Sequence, residues 1–176
     1  MIAANVQAER RVAVLVYGSA DVPGWTVLQS KVIAKGVFAK IGVEIRWQNP
    51  PPRGSTSDVN RAIVIRFATV APEQVSPNAL GFATPHMGSN VTVFFNRVQR
   101  AAGWTDTSVL LAYVMVHEIA HVLERSDHHS SFGVMKAQWT NRDYLEMTDR
   151  SLGFAEEDVR LLQQSGGPLA HLTAAH

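Results

Sequence analysis

Short apolar runs alternate along this chain with segments of helical periodicity. Val12-Ala-Val-Leu-Val16 is continuously apolar and rich in β-branched residues, the pattern of a strand covered on both faces. After a turn over residues 18–24, the apolar positions Val27, Leu28, Val32, Ile33, Val37 and Phe38 recur mostly at four- and five-residue spacings. They predict an imperfect amphipathic helix over residues 25–40, interrupted by Gly36. Gly42 follows it, and Val43-Glu-Ile-Arg-Trp47 alternates as a strand. Such a strand–helix–strand unit predicts parallel strands joined by a right-handed crossover. Residues 49–58 read as a Pro-rich loop too short to link domains, and Ala62-Ile-Val-Ile-Arg-Phe67 as a third strand. Leu80-Gly-Phe-Ala83, bordered by Pro77 and Pro85, suits an edge strand. After a turn over residues 86–90, Val91-Thr-Val-Phe-Phe95 reads as a strand.

The stretch Thr107–Val116 contains no Gly or Pro and is apolar enough for a buried helix, capped by Thr105 or Asp106. Residues 130–144 read as irregular. A final helix is expected over residues 153–164, with Ala155, Val159 and Leu162 at helical spacing, followed by a loose tail from Ser165. These elements predict an α/β (α+β) fold. Its sheet is twisted, mixed and five-stranded with an antiparallel edge strand, and it carries two long helices and a C-terminal helix.

With 176 residues the chain is expected to form one domain, residues 10–164 supplying the core. The formal net charge of +1 and the absence of a Lys/Arg cluster give no electrostatic case for nucleic acid. The longest apolar run, residues 109–116, is too short to span a bilayer. The chain has no cysteine, which excludes disulfides, thiolate metal sites and cysteine nucleophiles. Residues 2–10 show no signal peptide. They fit a mature N-terminus behind an added Met, from a secreted or periplasmic protein, as well as a cytoplasmic one.

The buried helix runs directly into His117-Glu-Ile-Ala-His121. Positions i and i+4 share a helix face, so the two imidazoles can hold one metal ion while Glu118 takes a proton from a water beside it. The pattern points to one catalytic zinc and to hydrolysis. A catalytic zinc wants a third protein ligand, and Asp127, His128 and His129 lie within short reach downstream. HExxH also arises by chance; the plain alternative is a helix whose two histidines only touch each other. The apolar residues before the motif count against that, because they place the helix inside the domain.

Met135, in Gly133-Val-Met135, follows the motif at about the distance of the methionine turn in metzincins such as matrixins and astacins, and the chain resembles that family. The resemblance covers roughly residues 10–140, its strong part being residues 117–135. In the family the motif is HExxHxxGxxH or HExxHxxGxxD. Here Glu124 stands at the Gly position and Asp127 at that of the third ligand. The passage from His129 to Met135 looks like the family's ligand-to-Met passage with two residues inserted ahead of it. The resemblance therefore favours His129 over Asp127, with His128 third. It implies a metallopeptidase in which Glu118 is the general base. It also implies an edge segment around Gly81-Phe82-Ala83 that pairs with an extended peptide, making a protein or peptide the natural substrate. The astacin tyrosine position is occupied by Ala137, so no tyrosine helper is expected there.

Two other readings compete. A distant Glu146, Glu156 or Glu157 would complete a gluzincin-like site. Alternatively the chain is a catalytically silent, zinc-stabilised binding domain, which leaves Glu118 without a use. Met135, Trp139, Tyr144, Trp104 and the Phe94-Phe95 pair read most simply as packing residues. His86, His128, His171 and His176 read as loop or tail residues. No oligomeric state is legible.

Overall fold

The computed structural model describes residues 10–50, 62–86, 88–103 and 105–164. The expectations for the N-terminal segment, most of the 49–58 loop, Trp104 and the tail from Ser165 lie outside these residues. Five strands form one sheet: β1 (Arg10–Tyr17), β2 (Val43–Gln48), β3 (Ile63–Ala68), β4 (Gly81–Ala83) and β5 (Asn90–Phe94). Their order is β2-β1-β3-β5-β4. β1 pairs in parallel with β2 and β3, β3 pairs in parallel with β5, and β4 runs antiparallel along β5. The β-branched run of β1 is buried on both faces, as its composition requires. Val12, Val14 and Val16 enter the main core, while Leu15 joins Ala62 and Val64 on the opposite face.

Among the described residues five helices accompany the sheet: α1 (Gly24–Ala39), α2 (Phe95–Ala102), α3 (Thr107–Glu124), α4 (Asn141–Thr148) and α5 (Glu156–Gln164). α1 and α3 pack side by side. The buried Ser30 hydroxyl joins them, donating to the carbonyl oxygens of Thr26 at 2.7 Å and Ser108 at 2.8 Å. Asp106 caps α3 by accepting from the Ser108 N–H at 2.7 Å. Every residue of α3 from Ser108 to Leu123 is buried. Each fully buried Leu or Ile there contributes about 1.5–3 kcal/mol, so packing holds this helix far more firmly than propensity would. α3 has the length and apolarity of a membrane span, but 83% of it is buried inside the domain, the mark of a core helix.

The differences from expectation are local. The strand read to Phe95 ends at Phe94, and the chain turns at once into α2, whose buried residues Phe95, Val98 and Ala102 make the inner face. The segment read as irregular to Tyr144 yields to α4 from Asn141. Thr140 and Asp143 form a capping box there, and Lys136 reaches Asp143 at 2.5 Å. The last helix starts at Glu156 rather than Gly153, because residues 153–155 are used in a different contact.

That contact ties the loop after α3 to the C-terminal segment. The Val134 N–H donates to the Gly153 carbonyl at 2.9 Å, and the Ser130 hydroxyl donates to the wholly buried Asp158. Asp158 also accepts from the Ala155 N–H at 3.1 Å, capping α5. Gly133 sits at φ +73°, and a Cβ there would lie 2.3 Å from the Gly153 carbonyl oxygen. α3 itself ends with Arg125 in the left-handed region, φ 53°. Both carboxylate oxygens of Glu124, the residue before it, are buried without a hydrogen-bond partner. Burial, reinforced by the Asp158 charge, pushes the Glu124 carboxyl up to about 7.

Two outcomes follow from this corner. Gly133→Ala introduces both a left-handed alanine and a backbone clash, and should destabilise by about 2–4 kcal/mol, a fall of roughly 5–15 °C in Tm. A thermal melt within a degree or two of the parent would refute the contact. Glu124 is protonated in the folded state up to a higher pH than in the unfolded chain, so its contribution is present below the ordinary glutamate range and lost as pH rises through about 7. Glu124→Gln should therefore gain stability relative to the parent between pH 5 and 8, as read by paired melts across about that interval. A pH-independent difference would contradict the burial.

Candidate metal centre

His117 and His121 lie one turn apart on the buried face of α3, and their Nε2 atoms face each other at 3.0 Å. The Nδ1–H of His117 donates to the Val134 carbonyl at 2.9 Å, and that of His121 to the Ser126 carbonyl at 2.9 Å. A carbonyl can only accept, so these bonds fix the tautomer: each ring protonates Nδ1 and leaves Nε2 with a free lone pair. Burial, with the His121 charge next, lowers the His117 pKa to about 3, and burial lowers that of His121 to about 4. Both rings are thus neutral at neutral pH, the state that binds metal.

The third histidine comes from the loop. His129 stacks with its ring centroid 5.3 Å from that of His117, and stands edge-on to His121 at 4.9 Å. One ring nitrogen from each of His117, His121 and His129 falls within 4.8 Å of the others. Asp127 lines the same cleft but is not in this cluster, and His128 is turned elsewhere. Two unprotonated nitrogens at 3.0 Å cannot hydrogen-bond each other, and their lone pairs repel. A tetrahedral zinc with Zn–N of about 2.0–2.1 Å sets ligand nitrogens roughly 3.3 Å apart, so the donor set fits such an ion with little adjustment.

Glu118 is next to this cluster and 6% exposed. It takes a hydrogen bond from the backbone N–H of Ala83 on β4, while burial pushes its carboxyl up to about 8. Glycine at 81 is what admits it. A Cβ on Gly81 would stand 3.1 Å from Glu118 Cγ and Oε1, and 3.0 Å from the Thr92 carbonyl oxygen. A side chain at position 81 would therefore press on the acid and on the edge strand's neighbour.

A residue read as simple packing takes a larger part. Trp139 donates its indole N–H to the Val134 carbonyl at 3.1 Å, the same oxygen that orients His117, and its ring stands edge-on to His117 at 5.6 Å. Nothing in the sequence marks it, because the link runs through a backbone atom. Met135 is fully buried in a tight turn: Ser130 N–H donates to its carbonyl at 2.9 Å and Lys136 N–H to that of Gly133 at 3.4 Å. A cleft of about 560 Å³ opens over the histidines and Glu118, walled by β4 on one side and by Lys136–Trp139 and Tyr144 on the other.

The distant glutamates do not reach the centre. Glu146 pairs with Arg142 at 2.9 Å on α4, and Glu156 is exposed at the start of α5. Glu157 groups instead with His128 and Asp158, whose ligating atoms also lie within 4.8 Å of one another. Two of these three are exposed, and both Asp158 oxygens already accept from Ser130 and Ala155, so that group is accounted for as a tether. The gluzincin arrangement therefore has no support in the geometry.

No protein-family model matches the sequence, and no curated protein does. The fold does have solved counterparts. It is similar to the crystal structure of archaemetzincin from Methanopyrus kandleri, with a TM-score of 0.59 over 89% of this chain and 95% of that one, at 15% identity. The metzincin-like architecture expected from residues 117–135 is thus the architecture of the domain as a whole.

Proposed function

We propose that this chain is a zinc-dependent peptidase, with His117, His121 and His129 holding one catalytic ion and Glu118 acting as general base. The observation that carries the reading is the pair of unprotonated Nε2 atoms at 3.0 Å with a third imidazole beside them. A cation between these nitrogens would relieve the repulsion of their lone pairs. The archaemetzincin-like fold supports the same class of chemistry. The tight turn holding Met135 corresponds, on this reading, to the metzincin methionine turn.

A zinc ion bound there supplies a Lewis acid and makes a neighbouring water acidic. The chain's own residues do the rest. Glu118, charged once a dication lies beside it, receives the proton of the attacking water and hands it to the amine nitrogen of the departing peptide. β4 is an edge strand paired with β5 on one side only, so its free side can pair with an extended substrate and lay a scissile bond across the cleft. This makes an endopeptidase the natural form of the activity. Against a silent, zinc-stabilised domain stands Glu118 itself: it is buried beside the ligands at the price of a raised pKa, and a purely structural site has no use for it.

Glu118→Gln should keep one zinc per chain, measured by atomic absorption, and lower kcat for peptide cleavage by about 10²–10⁴-fold. Zinc retention with undiminished turnover would remove Glu118 from the mechanism. His129→Ala should weaken zinc binding by at least about tenfold, whereas Asp127→Ala should leave it close to the parent in a chelator competition. The reverse order would assign the third ligand to Asp127. Gly81→Ala should depress kcat by roughly tenfold or more with zinc content unchanged, since the added methyl displaces Glu118 and not the histidines.

A further inference from the structure

The imperfect period of α1 has a structural cause: the helix carries two apolar faces. Ile33, Ala34, Val37 and Phe38 pack into the core. Trp25, Leu28 and Val32, spaced i, i+3, i+7, point the other way and are 68%, 53% and 59% exposed. Their stripe continues over the exposed Gly36 and Ala39 to the end of the helix. A contiguous apolar face with tryptophan on it marks a place of contact.

The charges beside the stripe identify what it contacts. α1 contains Lys31 and Lys35, with Lys40 as its C-cap, and no acidic residue. Lys31 packs its ammonium over the Trp47 ring at 5.7 Å, and Lys40 reaches the Arg150 carbonyl at 2.6 Å. The carboxylate nearest this face on β2, Glu44, is already held by Arg11 and Arg46, each at 3.2 Å, and also feels Lys35. Asp21 precedes the helix. Three lysines thus flank the stripe, and the helix itself brings no carboxylate to it.

We propose that this outer face of α1 docks the domain onto an anionic lipid surface. Tryptophan and aliphatic side chains enter the interfacial layer while flanking lysines meet lipid phosphates. A second copy of this chain fits poorly, because a two-fold contact across the stripe would set lysines against lysines. The placement also suits the cleft. α1 packs beside β2 at one edge of the sheet, and β4, which borders the cleft, is the opposite edge. A docked domain would leave the metal centre open to a peptide. This inference stands whether or not the peptidase reading does.

The test is co-sedimentation of the purified chain with phosphatidylcholine vesicles, with and without phosphatidylglycerol. The parent should bind the anionic vesicles and release them as salt rises. Each lysine near such a surface is worth roughly fivefold in partition, so Lys31→Gln/Lys35→Gln/Lys40→Gln should weaken binding on the order of a hundredfold. Trp25→Ser/Leu28→Ser should weaken it by about tenfold or more. Trp25, Leu28, Lys35 and Lys40 are exposed and Lys31 half-buried, and unchanged circular dichroism and melting temperature would confirm that both variants fold. No vesicle binding, equal binding to neutral and anionic vesicles, or variants that bind like the parent would each overturn the proposal. So would a concentration-dependent dimer that Trp25→Ser disrupts, since that would assign the face to a second copy.

Discussion

The Val134 carbonyl oxygen is the point on which the metal centre depends. It accepts from the Nδ1–H of His117 and from the Trp139 indole, and so fixes that imidazole's tautomer and one wall of the cleft together. The N–H of the same residue is bound to Gly153. One short stretch of backbone is thereby clamped between the active-site helix and the C-terminal segment. A backbone carbonyl cannot titrate or change rotamer, which makes it a steadier orienting group than a carboxylate would be. The second imidazole is held likewise: His121 donates to the Ser126 carbonyl, and the Ser126 N–H returns to the His121 carbonyl at 3.3 Å.

Burial sets the electrostatic character of the centre. It keeps His117 and His121 neutral, and it holds the proton on Glu118. The three groups respond in opposite protonic directions to one physical cause, the exclusion of water around α3. An otherwise ordinary apolar core helix thereby carries two neutral imidazoles and a protonated carboxyl on one buried stretch.

Much of this was legible from residues alone. The order of strands and long helices follows from apolar runs and spacings, and residues 117–121 announce their chemistry because a helix puts i and i+4 together. What escaped has a common cause in distance along the chain. α2 was hidden because Phe94-Phe95 serves a strand and a helix at once. α4 was hidden because its apolar residues are few and its start rests on the Thr140–Asp143 capping box. Trp139 and Gly81 act through a carbonyl and through an absent side chain, neither of which leaves a pattern. The faulty period of α1 was itself a signal, since two faces superposed on one helix blur the spacing of each.

The clamp on Val134 also sets how much of the chain the site draws on. All three histidines have been synthesised by residue 129, but the loop that orients His117 is held by Gly153, and Ser130 by Asp158, more than twenty residues later. A chain emerging from the ribosome therefore carries these histidines well before the residues that hold the loop beneath them. On the proposed reading, loss of order in the C-terminal segment and loss of the metal centre would go together.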